Sequence, residues 1–176
     1  MFGNKNKAPK MPWSVQLLTT EFLVDGHTDG DDPTGPWFLH VQARELAMAT
    51  LTLTGASFQP TAAQNIAPTQ AAKWVLPSTA QFVATIPRDE ASLAYCASRN
   101  GNSKHPFPAV VFSASYALTG TIMCPSNDLD ILSGYGTFAM QNVTIDCLAP
   151  GARLKGLTAP YVVLMTLLVH GIVLNA

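Results

Sequence analysis

Two stretches of this chain repeat one another, and the repeat limits the folds open to it. TTEFLVDG (Thr19–Gly26) aligns with SASYALTG (Ser113–Gly120), placing Phe22 on Tyr116, Val24 on Leu118 and Gly26 on Gly120. LAMATLTLT (Leu46–Thr54) aligns with FAMQNVTID (Phe138–Asp146), where Ala47, Met48 and Thr52 are identical to Ala139, Met140 and Thr144. The blocks keep their order at offsets of 94 and 92 residues. Ordered blocks at nearly constant spacing read as a tandem duplication. The fold must therefore be one that a small unit can form twice.

The units read as β. Leu51-Thr-Leu-Thr and Val143-Thr-Ile-Asp alternate apolar and polar residues at period two, the spacing of a half-buried strand. Thirteen prolines and twelve glycines punctuate the chain into short elements and argue against long helices. Arg88–Arg99 has the character of a short helix, with Asp89 and Glu90 in its first turn and Asn100-Gly101-Asn102 to end it. The expected fold is mainly β. Two tandem, sequence-related small β modules, barrel- or sandwich-like and each of five or six strands, are joined by a short helical linker. The boundaries are a basic arm over 1–12, a first module over 13–87, a linker over 88–105 and a second module over 106–176.

The repeat also decides how to read the apolar tail, YVVLMTLLVHGIVLNA. Its positional counterpart is KWVLPSTAQFVATIP, with Trp74-Val-Leu on Val162-Val-Leu and Ser78 on Thr166. That counterpart contains Pro77 and Gln81 and does not suit a bilayer. Tyr161–Leu174 as a helix would reach about 21 Å, short of a hydrocarbon core of about 30 Å. Six of its residues are β-branched. It is expected to form the closing strands of a β module, with no transmembrane helix. Placed at a sheet edge, the same stretch becomes a docking surface.

Composition narrows function. The net charge is −1, with ten Lys plus Arg against eleven acids, and no basic face for nucleic acid is expected. Charged residues make up only 12% of the chain, about half the usual share. A surface so poor in charge suits burial against other proteins. Cys96, Cys124 and Cys147 form no CxxC motif and read as free, partly buried thiols, which favours a reducing compartment. MFGNKNKAPKMPW has no apolar core, so no secretory signal is expected. Lys5, Lys7 and Lys10, followed by Trp13, make a partner-binding arm for an acidic protein or an anionic membrane surface.

Chemical motifs are few. DGHTDGDDPTG holds Asp25, Asp29 and Asp31 beside His27 and Asp32. Clustered carboxylates can take calcium, but this spacing is not that of an EF-hand, and a solvated hairpin loop is the expected reading. No GxSxG, GxGxxG or GxxxxGK sequence occurs, and the histidines at 27, 40, 105 and 170 share no motif with a cysteine or an acid. No cofactor is implied and no enzyme is expected.

Two resemblances add to this. LLVHGIVL, with small Thr166 one turn before His170, resembles the pigment-ligating segment of bacterial light-harvesting alpha polypeptides. There a histidine in an apolar helix ligates bacteriochlorophyll, so the resemblance makes His170 a candidate pigment ligand; the alternative is a strand histidine in or near the core. The order of short strands, turn glycine, acidic loop and returning strands is similar to PilZ-like small β barrels in tandem. The arginine-rich RxxxR and D/NxSxxG signature of that family is missing, so cyclic-dinucleotide binding is not carried over. Together the features point to a non-enzymatic structural subunit on the cytoplasmic face of a membrane. It would bind other subunits and stabilise a larger assembly, with a photosynthetic reaction centre–light-harvesting complex as the concrete candidate. The alternative is a soluble ligand-binding or sensory β module.

Overall fold

In the computed structural model, residues 13–28, 51–65, 69–76, 82–99, 105–134 and 136–174 are described. Lys5, Lys7, Lys10, His40, Asp29, Asp31, Asp32 and the first part of the Leu46–Thr54 block lie outside them. The first half contributes β1 (Ser14–Thr19), β2 (Phe22–Thr28), β3 (Leu51–Pro60), β4 (Gln70–Leu76) and β5 (Phe82–Pro87). A helix, α1 (Glu90–Arg99), follows. The second half contributes β6 (His105–Ser113), β7 (Tyr116–Cys124), β8 (Thr137–Cys147), β9 (Leu157–Met165) and β10 (Val169–Leu174). The protein is mainly β, and the tail forms strands: β9, one 3-10 turn over Thr166–Leu168, then β10. Among the described residues no helix is long and apolar enough to cross a membrane.

All ten strands belong to one antiparallel sheet, in the order β10-β6-β7-β8-β9-β5-β1-β2-β3-β4. This corrects the expected pair of barrel- or sandwich-like modules, because the sheet is continuous and does not close into a barrel. The reason lies at β5. One of its edges pairs with β1 and the other takes β9, through Ala84 opposite Leu164 and Thr85 opposite Val163. A strand flanked on both sides cannot also close its own half.

Each half nonetheless runs in the same internal order, β5-β1-β2-β3-β4 in the first and β10-β6-β7-β8-β9 in the second. The registers agree as well. The β1–β2 hairpin turns through Thr20-Glu21 and the β6–β7 hairpin through Ala114-Ser115. The ladder on β2 slips at Gly26 and the ladder on β7 slips at Gly120. Opposite each slip lies a residue with positive φ, Gly55 at 59° and Asn142 at 52°. These are β-bulges, where two residues on one strand oppose one on the other. The β1–β5 and β6–β10 ladders also slip at one corresponding place, passing over Val83 and His170. Trp74, Val75 and Leu76 pair with β3 as Val162, Val163 and Leu164 pair with β8.

These ladders fix which residues correspond. The Thr19–Gly26 and Ser113–Gly120 alignment falls on corresponding strands. The Leu51–Thr54 and Val143–Asp146 alignment does not. By ladder register Leu51 stands where Phe138 stands, and Leu53 where Met140 stands. Apolar residues recur at period two on both sides of the bulge at Asn142, as Phe138 and Met140 and again as Val143 and Ile145, so pattern matching alone chose a partner five residues away.

The buried apolar side chains form two clusters, one centred on each half. The first core holds Val15, Leu17, Val24, Leu53, Leu76 and Phe82, with Cys96 of α1. The second holds Val111, Tyr116, Leu118, Met140, Ile145 and Val162. The cores interlock at the β5–β9 seam. Leu18, Ala84 and Ile86 of the first half are buried in the second core, and Tyr161, Val163 and Met165 of β9 are buried in the first. The strands at the seam are thus apolar on both faces, as the unbroken buried run of β5 requires.

α1 starts at a double cap. Asp89 accepts from the Ser92 amide at 2.6 Å and from the Ser14 amide at 2.7 Å, and the Asp89 amide donates to the Ser92 hydroxyl at 3.3 Å. One carboxylate therefore fixes both the helix start and the start of β1. Burial alone would raise its pKa, but the hydrogen bonds from Ser92 and Ser14 together outweigh burial and hold it below 3.8.

Candidate interaction surface

Among the described residues no group of three or more His, Cys, Asp or Glu side chains could hold a metal ion. Of the acidic loop, Asp25 sits on β2 opposite Ser57 and His27 sits opposite Thr54, flanking the bulge at Gly26. Asp29 and Asp31 are outside the described residues. His105 opens β6 and pairs with Cys124 at the far end of its strand from Ser113, beside which β10 begins. His170 is the bulged residue of β10, and its side chain is exposed rather than packed in a core.

The cysteines are buried thiols. Burial pushes Cys96 up to about 12, so it stays protonated and unreactive at neutral pH. Tyr116 is similar: burial raises its hydroxyl to about 12, against the lowering effect of Thr61. The Tyr116 hydroxyl lies 2.9 Å from the Thr19 carbonyl oxygen and 2.9 Å from Thr61 Oγ1. It is a tie between the halves. A second tie runs through the loops, where the Arg153 and Leu154 amides donate to the Thr61 carbonyl and Ala63 donates to Gly151.

Trp13, a candidate partner-binding residue, packs inward. Its ring lies 5.5 Å from that of Tyr95 on α1, and its amide donates to Thr28 Oγ1. The end of the arm is thus anchored on the first core, and the sequence-predicted lysines precede it.

Among the described residues, four of the six exposed large apolar side chains lie on the sheet's two outer strands or beside them, the others being Leu148 after β8 and Leu167 in the turn before β10. β4 carries Val75, β10 carries Val173 and Leu174, and the neighbouring β6 carries Phe112. Among the described residues β4 pairs only with β3, and β10 only with β6. An outer strand with unpaired amides and carbonyls is a template for another strand, and natural sheets commonly blunt it with charge or proline. β10 carries no lysine, arginine, acid or proline. Covering a half-exposed valine or leucine is worth about 1 kcal/mol, so these strands hold a surface that gains from a partner. The uncharged tail signalled this in the sequence. Val75 and Phe112 gave no such signal, since a lone apolar residue in a strand reads equally as core.

No family model matches the chain, and no match is found among curated proteins or solved structures.

Proposed function

We propose that the protein is a non-enzymatic structural subunit, extrinsic to a membrane, that stabilises a larger assembly through its surfaces. The observation that carries this reading is the uncharged outer strand β10, with Val173 and Leu174 about half exposed. The burial of Cys96 and Tyr116 in the two apolar cores supports it, since both serve packing. We take the two halves as products of a duplication, supported by their common strand order and matching slips. The choice of a photosynthetic reaction centre–antenna complex as the assembly rests on the LLVHGIVL resemblance alone. That segment is a 3-10 turn and a strand, so His170 enters the proposal as a surface residue.

The test is isolation from native membranes under mild conditions, followed by identification of what co-purifies. Membrane subunits released together with this chain by a salt wash are the expected result. A protein found only in the soluble fraction with a bound small molecule would overturn the reading in favour of a ligand-binding module.

A further inference from the structure

The internal seam is a template for the protein's own outer strands. β5 and β10 hold corresponding places, since each pairs with the first strand of its half and slips at one corresponding position. β9 and β4 also correspond, each pairing with the third strand of its half in a matching register. Inside the chain, β5 pairs with β9. The corresponding pair, β10 with β4, forms the two ends of the open sheet. We infer that β10 of one copy pairs with β4 of the next, in the geometry of the internal β5–β9 seam, so that copies join head to tail.

Three observations carry this. The first is the face beside β10. On β1 and β5, Leu18, Ala84 and Ile86 are buried at 0%, 0% and 1% exposure because the second half covers them. By ladder register their counterparts are Phe112, Gly171 and Val173. Phe112 is 36% exposed and Val173 is 53% exposed. The second is the outward face of β4. Val163 on β9 is 3% exposed at the seam, while its counterpart Val75 is 46% exposed. The third is the core of the first half. Tyr116, Ile145 and Val162 are each 0% exposed, in the same cluster as Leu18, Ala84 and Ile86. Their counterparts Phe22, Phe58 and Trp74 are only partly buried. The three aromatic rings sit edge to face, Phe22 to Phe58 at 6.3 Å and Phe58 to Trp74 at 5.7 Å, and each keeps part of its surface exposed. In the proposed contact Phe112 and Val173 of the neighbour cover that surface.

The occupant is a second copy. The ten strands do not close on themselves, so β10 reaches a β4 only in another molecule. The contact joins unlike surfaces, which makes it heterologous, and it builds a ring or an open chain of copies. The internal seam also sets the register. Ala84 opposite Leu164 becomes Gly171 opposite Leu76, and Thr85 opposite Val163 becomes Ile172 opposite Val75. Lys73 is the one charged side chain on either strand, so no like charges meet. The contact between copies lacks one feature of the internal seam, because Phe22 has no hydroxyl to match that of Tyr116.

The inference deepens the structural reading above and rests on it for its biological meaning. It is tested on the full chain by measuring mass in solution over a concentration series, for the wild type and for V75K and V173K. Both sites are half exposed in the single chain, so each variant keeps its fold, which circular dichroism checks. The wild type should assemble in whole multiples of one chain. Each variant should be a monomer. Mixed, they should form a dimer and grow no further, because V75K keeps an intact β10 and V173K an intact β4. A monomeric wild type at every concentration overturns the inference, as does a variant that still assembles alone. A monomer that co-purifies with membrane subunits would remove the self-pairing and keep the structural role. An assembled protein that binds and turns over a small molecule would do the reverse.

Discussion

The two halves of this protein share a strand order and differ in how completely they are covered. The second half is closed on its inner side by β1 and β5, and its core residues Tyr116, Ile145 and Val162 are fully buried. The first half presents Phe22, Phe58 and Trp74 at the corresponding places, partly exposed. A single β5–β9 seam separates the two situations. The difference shows that burial here is a property of neighbours rather than of sequence pattern. At two of the three places an aromatic ring stands where the covered half has an aliphatic residue, Phe58 for Ile145 and Trp74 for Val162, which suits a surface that must be stable alone and still gain from contact.

The sharpest contrast between corresponding positions is at the two bulge glycines. A Cβ on Gly120 would lie 2.8 Å from the Gln141 carbonyl oxygen and 3.2 Å from the Val143 Cα, all backbone. A Cβ on Gly26 would meet the Leu53 Cβ at 3.1 Å and its flexible Cδ1 at 3.2 Å. Backbone cannot yield as a side chain can. G120A is expected to cost about 2–3 kcal/mol, at the upper end of overpacking, and G26A about 1 kcal/mol. Denaturant melts would read the difference, and equal losses would break the contrast.

Tyr116 is the next test. Its hydroxyl has no counterpart on Phe22, and it ties the second half to the Thr19 carbonyl across the seam. Y116F should lower stability by about 1–2 kcal/mol, since it strips a buried carbonyl of its partner. The reverse change, F22Y, should do little because that side of the first half is open. If Y116F is neutral, the hydroxyl is not what locks the seam.

Asp89 distinguishes the first strand of each half, β1 and β6. Ser14 and Pro108 hold corresponding places, and Pro108 has no amide to satisfy while the Ser14 amide is taken by Asp89. D89A should cost about 1 kcal/mol at neutral pH. The folded pKa is depressed, so the stabilisation is present above the unfolded value and is lost as pH falls from 3.8 through the folded value. The gap between wild type and D89A should therefore close in acid. A gap that is constant with pH would assign the loss to helix propensity instead of the carboxylate.

Thr85 gives the fourth test. It is buried at 0% exposure, and its hydroxyl has no hydrogen-bond partner among the described residues. The corresponding residue of the second half is Ile172. T85V keeps the shape and removes the orphaned group, so it should raise stability by about 1 kcal/mol. A loss on thermal melting would mean that Thr85 has a partner outside the described residues.

The sequence made the strand character and the tail legible for one physical reason. Period-two alternation, turn residues and β-branched side chains act locally. The hairpin at Thr20-Glu21, which has no glycine or proline, splits what reads as one continuous strand up to Gly26. The Trp74-Val-Leu and Val162-Val-Leu match fell on corresponding positions, since Trp74 pairs with Leu53 as Val162 pairs with Met140. The Leu46–Thr54 match failed because apolar residues recur at period two on both sides of the bulge at Asn142. The single continuous sheet was not legible. Whether β5 closes its own half or accepts β9 is decided by contacts 80 residues apart, Ala84 to Leu164, and no local pattern encodes that choice. The exposed edge was half legible: the uncharged tail announced it, while Val75 and Phe112 took meaning only when their counterparts proved buried.

The smallest expected effect lies at the two positive-φ positions. Gly55 and Asn142 occupy corresponding places in the bulges, at φ 59° and 52°. A Cβ on Gly55 would meet nothing within 4 Å, so only backbone conformation opposes a side chain there. Asparagine tolerates the left-handed region better than other non-glycine residues, and it also restricts the unfolded chain. G55N should thus stay within about 0.5 kcal/mol of wild type, and N142G likewise, the two terms nearly cancelling. G55V, with a β-branched side chain in the same conformation, should lose about 1–2 kcal/mol. Chemical denaturation of the three variants orders them. If G55N falls with G55V, the two bulges are not interchangeable in their backbone, and the correspondence between the halves ends at the ladder.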